Sequence, residues 1–436
     1  MSSKVKILSL VDNLFRCRLV QLKLYRFAGR GELREERRVP CPVCGGDFKR
    51  CRLEICPYLK DVRELLRKVQ GSKIIFGSSP PSALIGSWGY PRVLAGPLVP
   101  PIQADTSLME DYGSWLDLPL QKLVSMRLSM VRGKRPVRVE DARNPSRLLA
   151  TIQELGMAYT PTDVELELDK EPVIRPGFKL RYAPTGPSGT VVKAILAENP
   201  TIPRVVDKIV SDIDLKASQA IYELYRSGIG ERHIVRLLSL GLLGLKRWRR
   251  LVPTEWSITA VDDQIGRRLR NELRGCDWIN TYELYQYEAH YNRVTVLLIP
   301  GPWMFEVFEV WYRGGGMKIY HDSELPGDPD RYPEEVGGAY HALRLPVLEK
   351  LSEIRRQASA LAIAEIYEGW IPLGVWRFRE ICRRAMKFRR FRSDSLDEVL
   401  AELGKIVDLP LRVLDESRVL RYHREQKLLT DFLKQF

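Results

Sequence analysis

Three short runs in the second half of the chain, Val294-Thr-Val-Leu-Leu-Ile299, Phe305-Glu-Val-Phe-Glu-Val-Trp311 and Met317-Lys-Ile-Tyr320, carry the β-branched and aromatic residues that a pleated, partly buried strand accommodates. Between them stand Pro300-Gly301-Pro302 and Gly314-Gly-Gly316, breakers that end one strand and turn the chain into the next. This pattern predicts an antiparallel meander. Helices are expected around it, one from Pro346 to Glu368 with Gly369 as its stop, another from Ser395 to Gly404 opened by the capping box Ser395-Leu-Asp-Glu398. The fold class is therefore α+β.

The first half has a different texture. From Ala217, the residues Ala220, Ile221 and Leu224 recur on one helical face as far as Ser227-Gly228-Ile229-Gly230, and Ile234, Leu237 and Leu238 then open a second face. The spacing fits two structures: a DNA-reading helix-turn-helix that presents Arg232, His233 and Arg236 outward, or a plain helical hairpin packed into its domain. Lys246-Arg-Trp-Arg-Arg250 follows directly, so Lys246, Arg247, Arg249 and Arg250 form a patch that either contacts phosphates or is simply solvated. Two Gly- and Ser-rich segments, Gly77-Ser-Ser-Pro-Pro-Ser82 after an apolar run and Gly186-Pro-Ser-Gly189-Thr190 at an expected helix start, are weak anion cradles, the first reading better as a rigid loop.

Charge sets the class of partner. Sixty-nine Lys and Arg against 55 Asp and Glu leave a formal charge of +14, which suits a polyanion such as nucleic acid. The densest basic run is Trp376 to Arg392, where Arg379, Arg383, Lys387 and Arg390 line one face of an expected helix and Ile381, Ala385 and Phe388 line another. Such a row follows a phosphate backbone or forms the solvated face of a core helix. No signal-peptide order opens the chain, and the most apolar stretch, Val294 to Val310, is broken by Pro300, Gly301, Pro302, Glu306 and Glu309, so the reading is a soluble cytoplasmic protein with no membrane partner.

Four of the seven cysteines, Cys41, Cys44, Cys51 and Cys56, fall in one segment. In Cys41-Pro-Val-Cys44-Gly the proline and glycine favour a turn whose N–H groups face the thiolates, as a structural Zn2+ site requires; redox use or disulfides are the alternatives. At the other end, Gln426, Leu429, Phe432 and Leu433 have the spacing of a PCNA-interacting (PIP) box. In one helical turn the three apolar side chains converge into a plug for a sliding-clamp pocket, with Leu433 where the usual pattern has a second aromatic.

These two features, together with the blocks Gly77 to Ser82, Gly89-Tyr-Pro91, Ser211-Asp-Ile-Asp-Leu-Lys-Ala217 and Pro253-Thr-Glu-Trp-Ser-Ile-Thr-Ala-Val-Asp-Asp263, resemble the archaeal Nre DNA repair family, NreA type, over nearly the whole chain. The resemblance implies a DNA-damage-repair role coupled to PCNA, clamp binding by Gln426, Leu429, Phe432 and Leu433, and zinc ligation by Cys41, Cys44, Cys51 and Cys56. It implies no catalytic residue. The expected organisation is a cysteine module in 1–70, an N-terminal domain in 71–250, a C-terminal α+β domain in 251–410 and a tail in 411–436.

Two other functions stay open from sequence. A metal-dependent nuclease or phosphoesterase would draw on Asp262, Asp263, Glu288, His290 and Glu306, expected in or beside strands, although surface or ion-pair roles suit these residues better. Asp212 and Asp214 read as helix caps. An RNA-binding zinc protein is the third reading, in which the tail match is fortuitous.

Overall fold

The computed structural model describes residues 71–173, 183–328 and 332–425, together with Arg67 and Val69. The chain divides into two compact units: the first runs to Ile265 and takes in Ile371–Gly374, and the second comprises Gly266–Trp370 and the chain from Val375. The fold class is α+β, with a mixed sheet in each unit.

In the first unit the strands are β1 (Ile74–Ser79), β2 (Ala83–Ile85), β3 (Arg92–Val99), β4 (Val131–Arg138), β5 (Thr162–Leu168) and β6 (Ser188–Leu196), in the spatial order β1-β5-β6-β4-β3-β2. The β4–β6 pair is parallel and the other pairs are antiparallel. Alternation drives this sheet: in β5 Val164, Leu166 and Leu168 are buried while Asp163, Glu165 and Glu167 point the other way. Its helices are α1 (Tyr112–Trp115), α2 (Leu120–Leu128), α3 (Arg147–Met157), α4 (Arg204–Ser211), α5 (Ala217–Arg226), α6 (Glu231–Ser239) and the part of α7 (Thr254–Leu273) that precedes Gly266.

The α5–α6 hairpin lies where the periodicity places it, with Ala220, Ile221, Leu224, Ile234, Leu237 and Leu238 buried. Gly228 takes φ +82° at the turn, a conformation open to glycine and strained for other residues. The expected helix at Gly186 to Leu196 is instead β6, whose β-branched Thr190, Val191 and Val192 favour a strand. Of the Gly77 segment, expected as a rigid loop, Gly77 to Ser79 are the end of strand β1, and only residues 80–82 connect it to β2. Its Ser78 Oγ donates to Asp163 Oδ1 (2.5 Å) and its Ser79 Oγ to the Leu98 carbonyl (2.8 Å), so neither hydroxyl is turned to an anion. A Cβ on Gly77 would come within 1.9 Å of the Pro100 carbonyl oxygen, which explains the glycine by close backbone approach.

The second unit contains β7 (Tyr282–Ala289), β8 (Asn292–Ile299), β9 (Met304–Arg313), β10 (Gly316–Glu324), β11 (Ser359–Ile366) and β12 (Arg389–Ser393), ordered β10-β9-β11-β8-β7-β12. Its helices after α7 are α8 (Gly338–Ile354), α9 (Trp376–Ala385), α10 (Leu396–Ile406) and α11 (Arg418–Glu425). The β9–β10 hairpin pairs as expected, but β8 and β9 do not neighbour each other. Strand β11 lies between them, antiparallel to β8 and parallel to β9, which replaces the simple meander.

The helix expected over 346–368 is thereby corrected. It begins earlier, at Gly338, carries Pro346 in its interior and ends at Ile354, and Ser359-Ala-Leu-Ala-Ile-Ala-Glu-Ile366 is a strand buried on both faces. Alanine-rich sequence favours helix in isolation, but this strand is hydrogen-bonded to neighbours on both sides and buried on both faces, and tertiary packing overrides propensity. Leu297, Phe308 and Ile363 of the sheet form one core with Val399 and Leu403 of α10 and Val419 and Leu420 of α11. Ser395 caps α10 by accepting from the Glu398 N–H, while the Glu398 carboxylate takes the Ser393 hydroxyl.

Candidate nucleic-acid interface

The hairpin does not present its cations as a reading helix would. Arg236 is 9% exposed; its Nε donates to the Gly156 carbonyl (2.7 Å) and its Nη2 to the Ala158 carbonyl (2.6 Å). These carbonyls lie at the C-terminal end of α3, where the last turn of a helix leaves acceptors unsatisfied and carries partial negative charge, so Arg236 is a capping cation. Burial first, then the Arg232 charge, pushes its pKa down to about 9, which still leaves it charged at neutral pH. His233 is buried beside it, and burial together with Arg236 and Arg232 pushes its pKa down to about 2, so the ring is neutral.

Arg232 is half-buried and already paired. Its Nε lies 2.6 Å from Glu110, whose carboxylate also receives Arg127 Nη1 at 2.5 Å and the Ser82 hydroxyl. Burial works against the charged carboxylate, but the Arg127 and Arg232 charges and these hydrogen bonds outweigh it and hold the Glu110 pKa down at about 2. Each guanidinium also sits over a ring, Arg127 over Trp115 at 5.5 Å and Arg232 over Tyr112 at 5.2 Å. The outward orientation expected for Arg232, His233 and Arg236 is therefore corrected: a second helix with buried acceptors and a buried acid beneath it turns its cations inward.

The patch after the hairpin splits. Arg249 is buried, with Nε on the Gly244 carbonyl (2.8 Å) and Nη2 on the carbonyls of Val210 (2.8 Å) and Asp212 (2.9 Å), which closes the end of α4 as Arg236 closes the end of α3. Lys246 and Arg247 are exposed and Arg250 is half-buried. Asp212 makes a local turn by accepting from the Asp214 and Leu215 N–H groups at 2.9 and 3.0 Å, while Lys216 occupies the cap position of α5, so neither aspartate caps that helix.

The basic row in the second unit is not one helical face. Helix α9 ends at Ala385, and Arg389–Ser393 is an edge strand in which Phe391 packs on the core while Arg390 and Arg392 are exposed, a period of two in place of 3.6. Arg379 is 2% exposed beside Glu380, and Arg383 is held by Glu349 and Glu380, each at 2.9 Å. Lys387 and Arg390 remain at the surface, the latter bonded to Gln286 at 2.9 Å. Phe388, expected on the buried face, is 60% exposed.

The acids proposed for a metal site do not assemble one. Asp262 and Asp263 are neighbours on helix α7, not on a strand, and both are buried and already engaged by other groups. Glu288 pairs with Arg293 (2.9 Å) at the end of β7, and His290 occupies the two-residue β7–β8 turn with Tyr291, both at positive φ. Glu306 is fully buried in β9, separated from β7 by β11 and β8, or about 14 Å at strand spacing. It accepts from His321 Nε2 (2.6 Å), the Ser417 hydroxyl, and the N–H groups of Arg418 (2.8 Å) and Val419 (3.0 Å). That is a carboxylate capping the N-terminus of α11. Among the described residues no three His, Cys, Asp or Glu side chains converge as a metal site.

Cys41, Cys44, Cys51 and Cys56 lie outside the described residues, as do Gln426, Leu429, Phe432 and Leu433. No described helix is long and apolar enough to cross a membrane. Sequence reasoning singled out Arg232 but missed Glu110 and Arg127, whose only signal was an acid in a basic chain, and it missed Arg92 and Arg138, which are 46 positions apart and directly paired across β3 and β4.

The models "Archaeal Nre, N-terminal" and "Archaeal Nre, C-terminal" match residues 50–316 and 326–432. DNA repair protein NreB of Archaeoglobus fulgidus is 33% identical over 396 residues, covering 89% of this chain and 98% of the relative. DNA repair protein NreA of the same organism is 36% identical over 381 residues (85% and 94%), and NreA of Haloferax volcanii is 34% identical over 365 residues (80% and 86%). No solved structure matches.

Proposed function

The chain belongs to the archaeal Nre family, and from that premise we propose that it is a DNA repair protein brought to DNA by the PCNA sliding clamp through residues 426–433. The observation that carries the repair role is the likeness, over at least four-fifths of the chain, to three relatives that bear that name. The clamp role rests on the sequence Gln426-Lys-Leu-Leu-Thr-Asp-Phe-Leu433, which follows the last described residue of α11, Glu425. A short peptide of this type binds at about micromolar affinity, roughly −8 kcal/mol, and simultaneous DNA contacts raise the effective affinity. Calorimetry with the archaeal clamp tests this: full-length protein binds, a chain ending at Glu425 does not, and equal binding by both removes the proposal.

Four clustered thiolates are a donor set suited to tetrahedral Zn2+, and we assign Cys41, Cys44, Cys51 and Cys56 to a structural site. About one zinc per chain in purified protein, lost in Cys44→Ser, is the expected result. Of the acids considered for a nuclease, Glu288 is held in an ion pair and Glu306 in a helix cap, and no observation favours that reading.

A further inference from the structure

The strand ends of β3 and β4 bring together cations that are far apart in sequence. Arg92 and Arg138 are direct cross-strand partners, both exposed, and neither has an ion-pair partner among the described residues. Like charges directly opposed across an antiparallel pair repel, so this arrangement is unfavourable unless an anion lies over it. The backbone continues the row. The Val139 N–H donates to the Pro91 carbonyl (3.0 Å) and the Leu251 N–H to the Val139 carbonyl (2.8 Å), which sets residues 91, 139 and 251 side by side. Arg143 Nε donates to the Arg249 carbonyl (3.3 Å), fixing the segment after β4 against the turn that carries the exposed Lys246 and Arg247. The acids along this row are Glu140 and Asp141, both half-buried, with one Asp141 oxygen accepting the Arg138 N–H at 2.9 Å, and the exposed Asp212 and Asp214, which flank Ile213, whose carbonyl accepts the Lys246 N–H at 2.8 Å.

Four residues before Arg92, in the turn between β2 and β3, stands Trp88, 79% exposed. The turn is braced: Gly86 N–H bonds to the Leu94 carbonyl (2.9 Å), Arg92 N–H to the Gly89 carbonyl (2.9 Å), and the Tyr90 ring lies 5.1 Å from the Trp256 ring. A large aromatic left in water on a fixed turn, beside paired arginines, is the combination with which proteins hold single strands, because every base has a face to stack and every phosphate a charge. A duplex hides its base faces and would leave Trp88 unused.

We propose that Trp88, Arg92, Arg138, Lys246 and Arg247 form a single-stranded DNA-binding surface, with Trp88 as the stacking platform. The choice of DNA over RNA rests on the repair role proposed above; the surface itself does not depend on the clamp peptide. The test is fluorescence anisotropy of a labelled oligo-dT 20-mer with full-length protein across a salt series. If four cations contact phosphates, log K against log salt has a slope of about −3, and Arg92→Ala/Arg138→Ala lowers it by about 1.4. Trp88→Ala weakens binding about tenfold or more, Trp88→Phe restores most of it, and neither changes duplex binding. Unchanged oligo-dT affinity in Trp88→Ala, or an unchanged slope in the arginine double variant, overturns the surface. Tighter binding of duplex overturns the single-strand assignment, and tighter binding of oligo-U overturns the assignment to DNA. The chain ending at Glu425 is expected to bind oligo-dT as the full chain does, so this result and that of the clamp experiment are independent.

Discussion

In the α5–α6 hairpin Arg236 is buried against two carbonyls and Arg232 is tied to Glu110, whereas at the ends of β3 and β4 Arg92 and Arg138 face each other in solvent. Both regions belong to the first unit and contribute to the same net charge of +14. The difference is what each cation has beneath it. A helix C-terminus or a buried carboxylate is a partner supplied by the fold, and a cation that has one is no longer available to a phosphate. Arg249 and Arg379 repeat the pattern, so the formal charge overstates the cationic surface.

The widest separation between the regions is expected at Glu110. Glu110→Ala strands Arg127 and Arg232 without their acid and is expected to cost about 3–5 kcal/mol in denaturant unfolding. Its pH dependence has a definite sign. With the folded pKa held at about 2, below the ordinary value of 4.5, the ionised carboxylate contributes stability that is full above the ordinary value and lost as pH falls toward 2. Wild type therefore loses stability in that window, and a variant that shows the same acid loss would break the account.

Glu309, in the second unit, has the opposite sign. Burial raises its pKa to about 7 against the opposing Arg377 charge and the Trp311 hydrogen bond. The folded state then holds a proton that the unfolded chain releases, so its contribution to stability declines as pH rises from about 4.5 through 7, by up to about 3 kcal/mol. Glu309→Gln should flatten thermal unfolding across that range; an unaltered pH profile would count against the assignment.

A smaller effect is expected from Arg236→Ala, which removes two charge-assisted bonds to carbonyls and should cost about 2–3 kcal/mol while leaving the DNA affinity of the folded protein within about twofold. Loss of DNA affinity in a stable Arg236→Ala protein would return the hairpin to a reading role. The smallest change is at the surface: Lys246→Ala/Arg247→Ala should alter stability by less than about 0.5 kcal/mol yet lower the salt slope by about 1.4.

How much of this was legible in sequence follows from the same physics. The hairpin, its turn at Gly228 and the β9–β10 strands were readable because local periodicity and glycine chemistry decide them. The strand at Ser359–Ile366 was not, since its alanines reflect neighbours that only the folded sheet supplies. The direction of each arginine was equally hidden. Arg236 and Arg247 look alike in a chain of letters, and what separates them is whether Gly156 and Ala158 lie underneath. The Arg92–Arg138 pair required the β3–β4 register, which no local pattern contains.

The most direct test of the central claim sets the two regions side by side: the salt slope of oligo-dT binding for Arg92→Ala/Arg138→Ala against that for Arg236→Ala, with both proteins shown to be folded. The account predicts a slope reduced by about 1.4 in the first and unchanged in the second. A reduced slope in Arg236→Ala with no change in the strand-end variant would contradict it.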